Sequence, residues 1–286
     1  MKAAAALFFV AAVAGLLAPR PQIETPSRLC EYRVLAGDFH IHMFPLDDTA
    51  LAPWDVVLEA RRRGLDVIAL TGHNQVWTAR VGRWFARLTG GPLVLVGEEI
   101  ITPNYDMIAV GIEHNVDWHG TAAESVAAIH RQGGVAIAAH PLRSYWPAYD
   151  AAAMAGLDGA EVLHPMAFVG PEFAAELREF YGRKPLTAIG SSDFHGTSYP
   201  GFSRTYVFVR EVSERAVLDA LRARHTVAVD RDGRSYGDAE LIRLADGRLP
   251  RSGVVAGAGG WSGLSRAAAL AGMLAALLFG FKEPRP

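Results

Sequence analysis

Apolar runs alternate with amphipathic stretches through the middle of the chain, from Arg33 to Asp230. Short runs of Val, Ile, Leu and Ala that end at Gly, Pro or a polar residue predict buried strands, and longer stretches with an apolar stripe predict helices. The predicted strands cover 33–41, 65–71, 92–97, 106–112, 134–139, 159–163, 185–191, 204–209 and 226–229, and the predicted helices cover 53–63, 77–88, 121–132, 171–181 and 213–224. This alternation predicts an α/β fold whose parallel sheet closes into a barrel.

Local signals mark the ends of two predicted helices. Pro53 opens the first helix, because proline fits the first turn, and Gly64 follows its last turn. Thr121 and Glu124 have the spacing of a capping box at the start of the third helix. These signals support the helix assignments independently of the apolar pattern.

Both ends of the chain are more apolar than the middle. Residues 3–18 form an uncharged apolar run behind Lys2, which predicts a signal peptide or an N-terminal membrane anchor over residues 1–19. A second apolar run covers residues 267–281. The predicted organisation continues with a linker at 20–32, a barrel domain at 33–250, and a flexible segment with a C-terminal hydrophobic helix at 251–286.

Positive charges flank the two apolar runs on their outer sides, at Lys2 and Lys282. The positive-inside rule then predicts cytoplasmic termini and a membrane-associated protein whose barrel faces the periplasm or the cell exterior. A cleaved signal peptide combined with a C-terminal anchor predicts the same location for the barrel.

Composition excludes several other classes of protein. The chain has 286 residues with a formal net charge of -2, and it has no basic stripe that would bind a nucleic-acid duplex. Its single cysteine, Cys30, excludes an intramolecular disulfide. Nothing in the sequence identifies a protein partner.

Two histidines separated by one residue, His40 and His42, stand at the end of the first predicted strand. Because side chains alternate along a strand, both point to one side at a spacing that suits one metal ion. Further metal-competent side chains follow the ends of later strands: His73, Glu99, His140, Asp193 and His195. The carboxyl ends of the strands in a parallel barrel meet at one face, so these residues are expected to converge there.

Imidazoles and carboxylates in one cluster suit zinc, manganese or iron better than calcium, and their number predicts two or three divalent ions. The first predicted site combines His40, His42, Glu99 and Asp193. The second combines His73, His195 and a carboxylate from the loop after His42, with Asp47 preferred to Asp48. A third uses Glu99 as a bridge, together with His140 and a residue of the strand at 106–112.

The ordered motifs Asp-x-His-x-His, Thr-x-His-Asn, Gly-x-Glu, Ala-His-Pro and Ser-Asp-x-His resemble the PHP (polymerase and histidinol phosphatase) family of metal-dependent hydrolases over about residues 33–230. Ala-Leu-Thr-Gly-His-Asn-Gln and Val-Gly-Glu-Glu-Ile are similar to a membrane-associated branch, the CehA/McbA-type metallohydrolases. The resemblance implies a distorted (β/α)7 TIM-like barrel with two or three metal ions that most often support phosphoester hydrolysis. It also implies the ligands His40, His42, His73, Glu99, His140, Asp193 and His195.

Two positions depart from the family pattern. Gly72 stands where the family usually has Asp or Asn, so the hydrogen bonding around the metal ligands is expected to differ. Asp106 stands where the family tends to have histidine. Since aspartate coordinates the same ions, Asp106 is a further candidate ligand.

Three residues are candidate substrate contacts. His164 follows a predicted strand, and the guanidinium groups of Arg143 and Arg204 suit bidentate contacts with phosphate. Metal binding lowers the pKa of water, which predicts attack by a metal-bridged hydroxide with Asp193 and His195 as catalytic residues. The proton for the leaving group comes from His195, His164 or metal-bound water.

The leading functional prediction is a metal-dependent phosphoesterase that acts on a small phosphorylated molecule. One alternative is a metal-dependent hydrolase of carboxylic or carbamate esters, which the CehA/McbA-type resemblance permits. The other is an inactive, membrane-tethered metal-binding module, for which Gly72 is the hint.

Overall fold

Eleven strands form one mixed sheet in the computed structural model, which describes residues 2–17, 27–47, 49, 51–195 and 199–253 and the isolated positions 268, 271, 272 and 275. The strands are β1 Arg28–Leu29, β2 Tyr32–Asp38, β3 Val67–Leu70, β4 Leu93–Ile101, β5 Asp106–Val110, β6 Val135–Ala138, β7 Gly159–Leu163, β8 Thr187–Gly190, β9 Thr205–Val209, β10 Thr226–Val229 and β11 Ser235–Gly237. The helices are α1 Lys2–Leu17, α2 Pro53–Arg62, α3 Trp77–Thr89, α4 Ala122–Arg131, α5 Ala151–Gly156, α6 Pro171–Tyr181, α7 Glu214–Arg222 and α8 Ala239–Ala245.

The strand order is β11-β10-β9-β2-β3-β4-β5-β6-β7-β8, with β1 paired to β2. The pairs β2–β3, β3–β4, β6–β7 and β7–β8 are parallel. The prediction of a parallel sheet is wrong for β5, which runs antiparallel to β4 and β6, and for β9, which runs antiparallel to β2 and β10. Only residues 102–105 join β4 to β5, and so short a connection permits a hairpin but not a parallel crossover.

Threonine side chains of β9 and β10 join that part of the sheet to β8, the strand at its opposite edge. Thr205 Oγ1 donates to the Gly190 carbonyl at 3.0 Å and accepts from the Gly190 amide at 2.9 Å, and Thr226 Oγ1 donates to the Ala188 carbonyl at 3.0 Å. A Cβ at Gly190 would lie 2.8 Å from the Arg204 carbonyl oxygen, so the close approach requires glycine. The result is a nearly closed, barrel-like sheet, which confirms the predicted barrel at this level of detail.

The amino-terminal end of the barrel is covered by α7. Its residues Val217 and Leu221 are fully buried in the cluster that includes the inward-facing Val135, and Arg222 donates to the Gly134 carbonyl at 3.4 Å. The predicted helices α2, α3, α4, α6 and α7 are all confirmed, including the capping box at Thr121. The short helices α5 and α8 were not predicted, because six or seven residues are too few to show a helical period.

The N-terminal apolar run forms α1, whose Phe8 packs edge-to-face against Trp54 of α2 with ring centroids 5.0 Å apart. Within the described part of the chain, no helix has both the length and the apolar character that crossing a membrane requires. Most of the predicted linker and of the C-terminal apolar helix lies outside the described residues, as does Asp48.

Candidate metal centre

The residues after four strands converge at the carboxyl-terminal face of the barrel. Ile41 forms an isolated parallel bridge with Phe194, and His73 forms another with Glu99, so the strand geometry continues beyond β2, β3 and β8. Alternation around Ile41 then directs His40 and His42 to the interior, where both are fully buried. The backbone therefore places these ligand candidates before any metal is bound.

A central cluster joins the four residues predicted for the first metal site. His40 Nε2 lies 3.3 Å from Glu99 Oε1 and 3.2 Å from Asp193 Oδ1. His42 Nε2 lies 3.4 Å from Glu99 Oε2 and 3.0 Å from Asp193 Oδ1. Atoms that are about 2.0–2.1 Å from a tetrahedral ion stand about 3.3 Å apart, so these spacings fit ligands of one ion.

Several polar atoms of this cluster need a partner. Among the described residues, no hydrogen-bond partner reaches the buried atoms His40 Nε2, His42 Nδ1, His42 Nε2 and Asp193 Oδ1. A buried polar atom without a partner costs about 1–3 kcal/mol, and the three that face one another, His40 Nε2, His42 Nε2 and Asp193 Oδ1, are explained most simply by a shared cation. His42 Nδ1 points toward Asp47 instead. The residues present therefore fit the divalent ions that the sequence predicts.

A second group combines His42, His73 and His195. His73 Nε2 lies 3.4 Å from His195 Nε2 and 3.4 Å from Glu99 Oε2. Asp47, the carboxylate assigned to this ion from the sequence, lies on the other side of the imidazoles, 3.5 Å from His73 Nδ1 and 3.6 Å from His42 Nδ1. Its two oxygens accept the amides of Met43 and His73, each at 3.0 Å, so Asp47 orients two ligands from behind.

A third group combines Glu99, Asp106 and His140, and His140 also lies in a group with His40 and His164. His140 Nε2 is 3.0 Å from Glu99 Oε1. Asp106 is buried at the start of β5, beside Tyr145 and Glu99. The structure thus brings Asp106 to the position that the sequence gives it, at the edge of the cluster.

Opposite charges stabilise one another throughout the centre. Burial opposes ionisation, yet the His40 imidazole holds the pKa of Glu99 and of Asp193 well below their usual range. Burial likewise lowers the pKa of His140, but its hydrogen bond and ionic contact with Glu99 outweigh burial and raise it to about 9. The His40 and His140 imidazoles are therefore the main charge partners of Glu99.

Metal binding is expected to release protons. At pH 7 a His140 side chain with a pKa of about 9 is protonated, and it must lose that proton before it binds a cation. Metal affinity should consequently rise between pH 6.5 and pH 9, with release of at least one proton per chain at pH 7. Calorimetric titration of the metal-free protein in buffers of different ionisation enthalpy measures this release; pH-independent binding without it would contradict the assignment of His140.

Glu161, in the middle of β7, is a central residue that the sequence analysis missed. Its Oε1 contacts His40 Nδ1 at 2.9 Å and accepts from the Ser191 hydroxyl, and its Oε2 accepts from the His140 amide at 2.6 Å. Burial raises its pKa, but the His40 and His164 imidazoles lower it to about 2, so it is a carboxylate. A carboxylate only accepts, so the proton of neutral His40 is on Nδ1 and Nε2 is free for a metal.

Asp38, the first residue of the Asp-x-His-x-His motif, connects two parts of the site. Its Oδ1 accepts from the Ser192 amide at 3.1 Å and the His40 amide at 3.3 Å, and its Oδ2 accepts from the Gly201 amide at 2.7 Å. The carboxylate thereby joins the end of β2 to the residues that follow β8 and to the segment that precedes β9. Sequence reasoning missed this role because the Ser192 and Gly201 amides lie 154 and 163 residues away along the chain.

Two ligand candidates have a left-handed backbone. The φ angles are 25° at His140 and 42° at Asp193, a region that side chains other than Gly, Asn and Asp rarely adopt. Glu161 accepts the His140 amide, and the Asp193 side chain is held by His164, so neighbouring groups stabilise both conformations. Such local strain is common at functional sites.

The structure explains why glycine occupies position 72. A Cβ at Gly72 would lie 2.1 Å from Gln75 Nε2 and 3.0 Å from Asp47 Oδ2. The Gln75 amide is held by Thr78, whose hydroxyl accepts from Gln75 Nε2 at 2.6 Å and whose amide donates to Gln75 Oε1 at 3.2 Å. A polar group from Gln75 therefore occupies the space that an Asp or Asn side chain would use.

Replacing Gly72 by aspartate is expected to destabilise the fold by about 1–3 kcal/mol, because the new side chain overlaps Gln75. The double variant Gly72→Asp, Gln75→Ala should recover part of this loss, because the overlap is gone. Urea unfolding of the four proteins of this cycle measures the coupling, and strictly additive changes would contradict it.

The predicted substrate contacts lie in three different environments. Arg143 is exposed and bonds to Glu176 and Glu179 of α6, and Arg204 is buried and donates to the carbonyls of Gly201 and Arg63. The prediction that either arginine binds substrate phosphate has no support in this geometry. His164 does reach the centre: its Nδ1 accepts from the Met166 amide at 3.2 Å, and its Nε2 lies 3.1 Å from Asp193 Oδ2.

Comparison with known proteins gives several likenesses, although no family model matches the sequence. MJ1587, an uncharacterised protein of Methanocaldococcus jannaschii, is 29% identical over a 147-residue alignment that covers 46% of this chain and 82% of that protein. A solved two-domain protein of Bacteroides vulgatus, which contains a predicted PHP-like metal-dependent phosphoesterase, matches with a TM-score of 0.62 and 24% identity over 79% of this chain and 73% of that one. The two chains share a fold.

Proposed function

We propose that this protein is a metal-dependent phosphoesterase that hydrolyses a small phosphorylated substrate. The position of Glu99 carries the proposal. Its Oε1 lies within 3.3 Å of His40 and His140, and its Oε2 lies 3.4 Å from both His42 and His73. A carboxylate between two pairs of imidazoles is arranged to bridge neighbouring cations, which is the arrangement used for phosphoester hydrolysis at two-metal sites.

The chain's own residues would hold two or three divalent ions such as zinc, manganese or iron, with Glu99 and Asp193 shared between sites. Bound ions of this kind supply an activated water and neutralise charge on phosphate oxygens. Asp193 and His195 contact one another at 3.3 Å and border the open side of the centre. His195, about a quarter exposed, would hold an ion together with His42 and His73, while buried His164 holds the Asp193 carboxylate.

Two independent lines support this function over ester hydrolysis of another kind. The ordered motifs resemble the PHP family, and the fold is shared with a protein that contains a predicted PHP-like metal-dependent phosphoesterase. Nothing in the geometry of the described residues favours a carboxylic or carbamate ester. The complete set of converging ligands also argues against an inactive module.

A panel of chromogenic esters tests the proposal. The protein, supplied with manganese or zinc, should hydrolyse p-nitrophenyl phosphate or bis-p-nitrophenyl phosphate, and it should leave p-nitrophenyl acetate at the rate seen with the free metal. Hydrolysis of the acetate alone would overturn the phosphoesterase assignment in favour of the acyl ester alternative.

We also propose, from the apolar runs at both ends of the sequence, that the barrel belongs to the membrane-associated CehA/McbA-type branch and lies outside the cytoplasm. Protease added to intact spheroplasts should then digest residues 33–230. Protection of the barrel until the cells are lysed would contradict this location.

A further inference from the structure

A cavity of about 390 Å³ opens beside the metal centre. Its floor includes His164, Asp193 and His195, all of which belong to the centre. Its wall includes Met166, Phe168 and Phe202, which have no part in metal binding. The volume is at the lower end of what small-molecule sites occupy, so a ligand here is small.

The wall is fixed to the floor by short-range contacts. The turn Pro165–Phe168 begins at His164, whose ring accepts the Met166 amide. Phe168 and Phe202 pack edge-to-face with centroids 4.8 Å apart, and the Arg231 guanidinium stacks on Phe168 at 4.4 Å. Because both rings are only half-buried, one part of each remains open to a ligand.

The charges of the cavity are concentrated at the floor. None of its described lining residues is Lys or Arg, and the arginines predicted to bind phosphate are bonded elsewhere. Bound cations at the floor are therefore the positive partners for a phosphate group, and the rest of the substrate meets an apolar, aromatic surface. An aromatic group on the substrate would be stabilised on this surface by edge-to-face packing in addition to burial.

We propose that the substrate is a phosphoester with a single phosphate whose organic group carries one aromatic ring, held against the open parts of the Phe168 and Phe202 rings. This inference rests on the proposed phosphoesterase function and adds the class of substrate. Burial of a phenyl group in the cavity should raise kcat/KM by about 10- to 100-fold over an ester that lacks it.

The test compares benzyl, cyclohexylmethyl and ethyl phosphate, each as the monoester and as the methyl diester, with the metal-loaded protein. All three release an unactivated primary alcohol, so the comparison isolates binding of the organic group. The expected order of kcat/KM is benzyl, then cyclohexylmethyl, then ethyl. Equal values for benzyl and ethyl esters would overturn the inference and leave the proposed function intact, whereas no hydrolysis of any phosphoester would overturn both.

Two variants locate the effect. Phe202→Ala and the milder Phe202→Leu should lower the ratio of kcat/KM for the benzyl ester to kcat/KM for the ethyl ester toward one. Trp84→Ala removes a 63% exposed aromatic side chain from α3, outside the cavity, and should leave both values unchanged. A benzyl preference that survives in both Phe202 variants would contradict the assignment of this wall.

Discussion

Replacing Glu99 by glutamine is expected to remove at least one bound ion from the metal centre with little change in the shape of the site. The amide keeps the size of the side chain but loses the charge that faces His40, His42, His73 and His140. Metal content should fall by at least one ion per chain, and kcat/KM for a phosphoester should fall by about 10³-fold or more, since bound cations supply several kcal/mol of charge stabilisation.

Glu98 provides a matched control on the same strand. It is equally buried, but it points away from the centre and accepts the Val116 amide at 2.5 Å. Glu98→Gln should keep the full metal content and most of the activity. Elemental analysis and steady-state kinetics on both variants decide the point: a Glu99→Gln protein with full metal content and unchanged turnover would remove the bridging role.

Replacing Glu161, which orients the ligand His40, is expected to weaken metal binding and to destabilise the fold. Glu161→Gln loses the charge that orients His40, so metal affinity should fall by about 10- to 100-fold. Glu161→Ala in addition leaves His40, Ser191 and the His140 amide without their acceptor, and it should cost about 3–5 kcal/mol of unfolding free energy in the metal-free protein.

The same contact predicts how stability depends on pH. Glu161 has a folded-state pKa of about 2, below its usual 4.5, so its contribution is complete above pH 4.5 and is lost as the pH falls toward 2. Glu179→Gln, on the half-exposed surface of α6, should change stability by no more than about 0.5 kcal/mol. Urea unfolding at pH 7 and pH 4 measures both effects, and a Glu161→Ala protein as stable as Glu179→Gln would refute the role of Glu161.

The convergence of the metal candidates was predictable because it follows from strand order and alternation. His40, His42, His73, Glu99, His140 and Asp193 each follow a strand or lie near its end, and the barrel brings such positions to one face. Asp106 joined them although its strand is antiparallel, because an antiparallel strand begins at the face where its neighbours end.

Other features depend on contacts that sequence spacing does not contain. Asp47 orients His42 and His73 from behind because local amides occupy both of its oxygens. Glu161 could have been noticed as the one charged residue inside the apolar strand β7, but its partners come from three distant segments. Arg143 and Arg204 remain predictions as substrate contacts, and their bonds to the Glu179 carboxylate and the Arg63 carbonyl do not support that role.

The most direct test of the central claim is hydrolysis of a chromogenic phosphoester as metal is returned to chelated protein. Activity should be absent without metal and should rise with added manganese or zinc until two or three ions are bound per chain by elemental analysis. Full phosphoesterase activity in protein that contains less than one ion per chain would contradict the account.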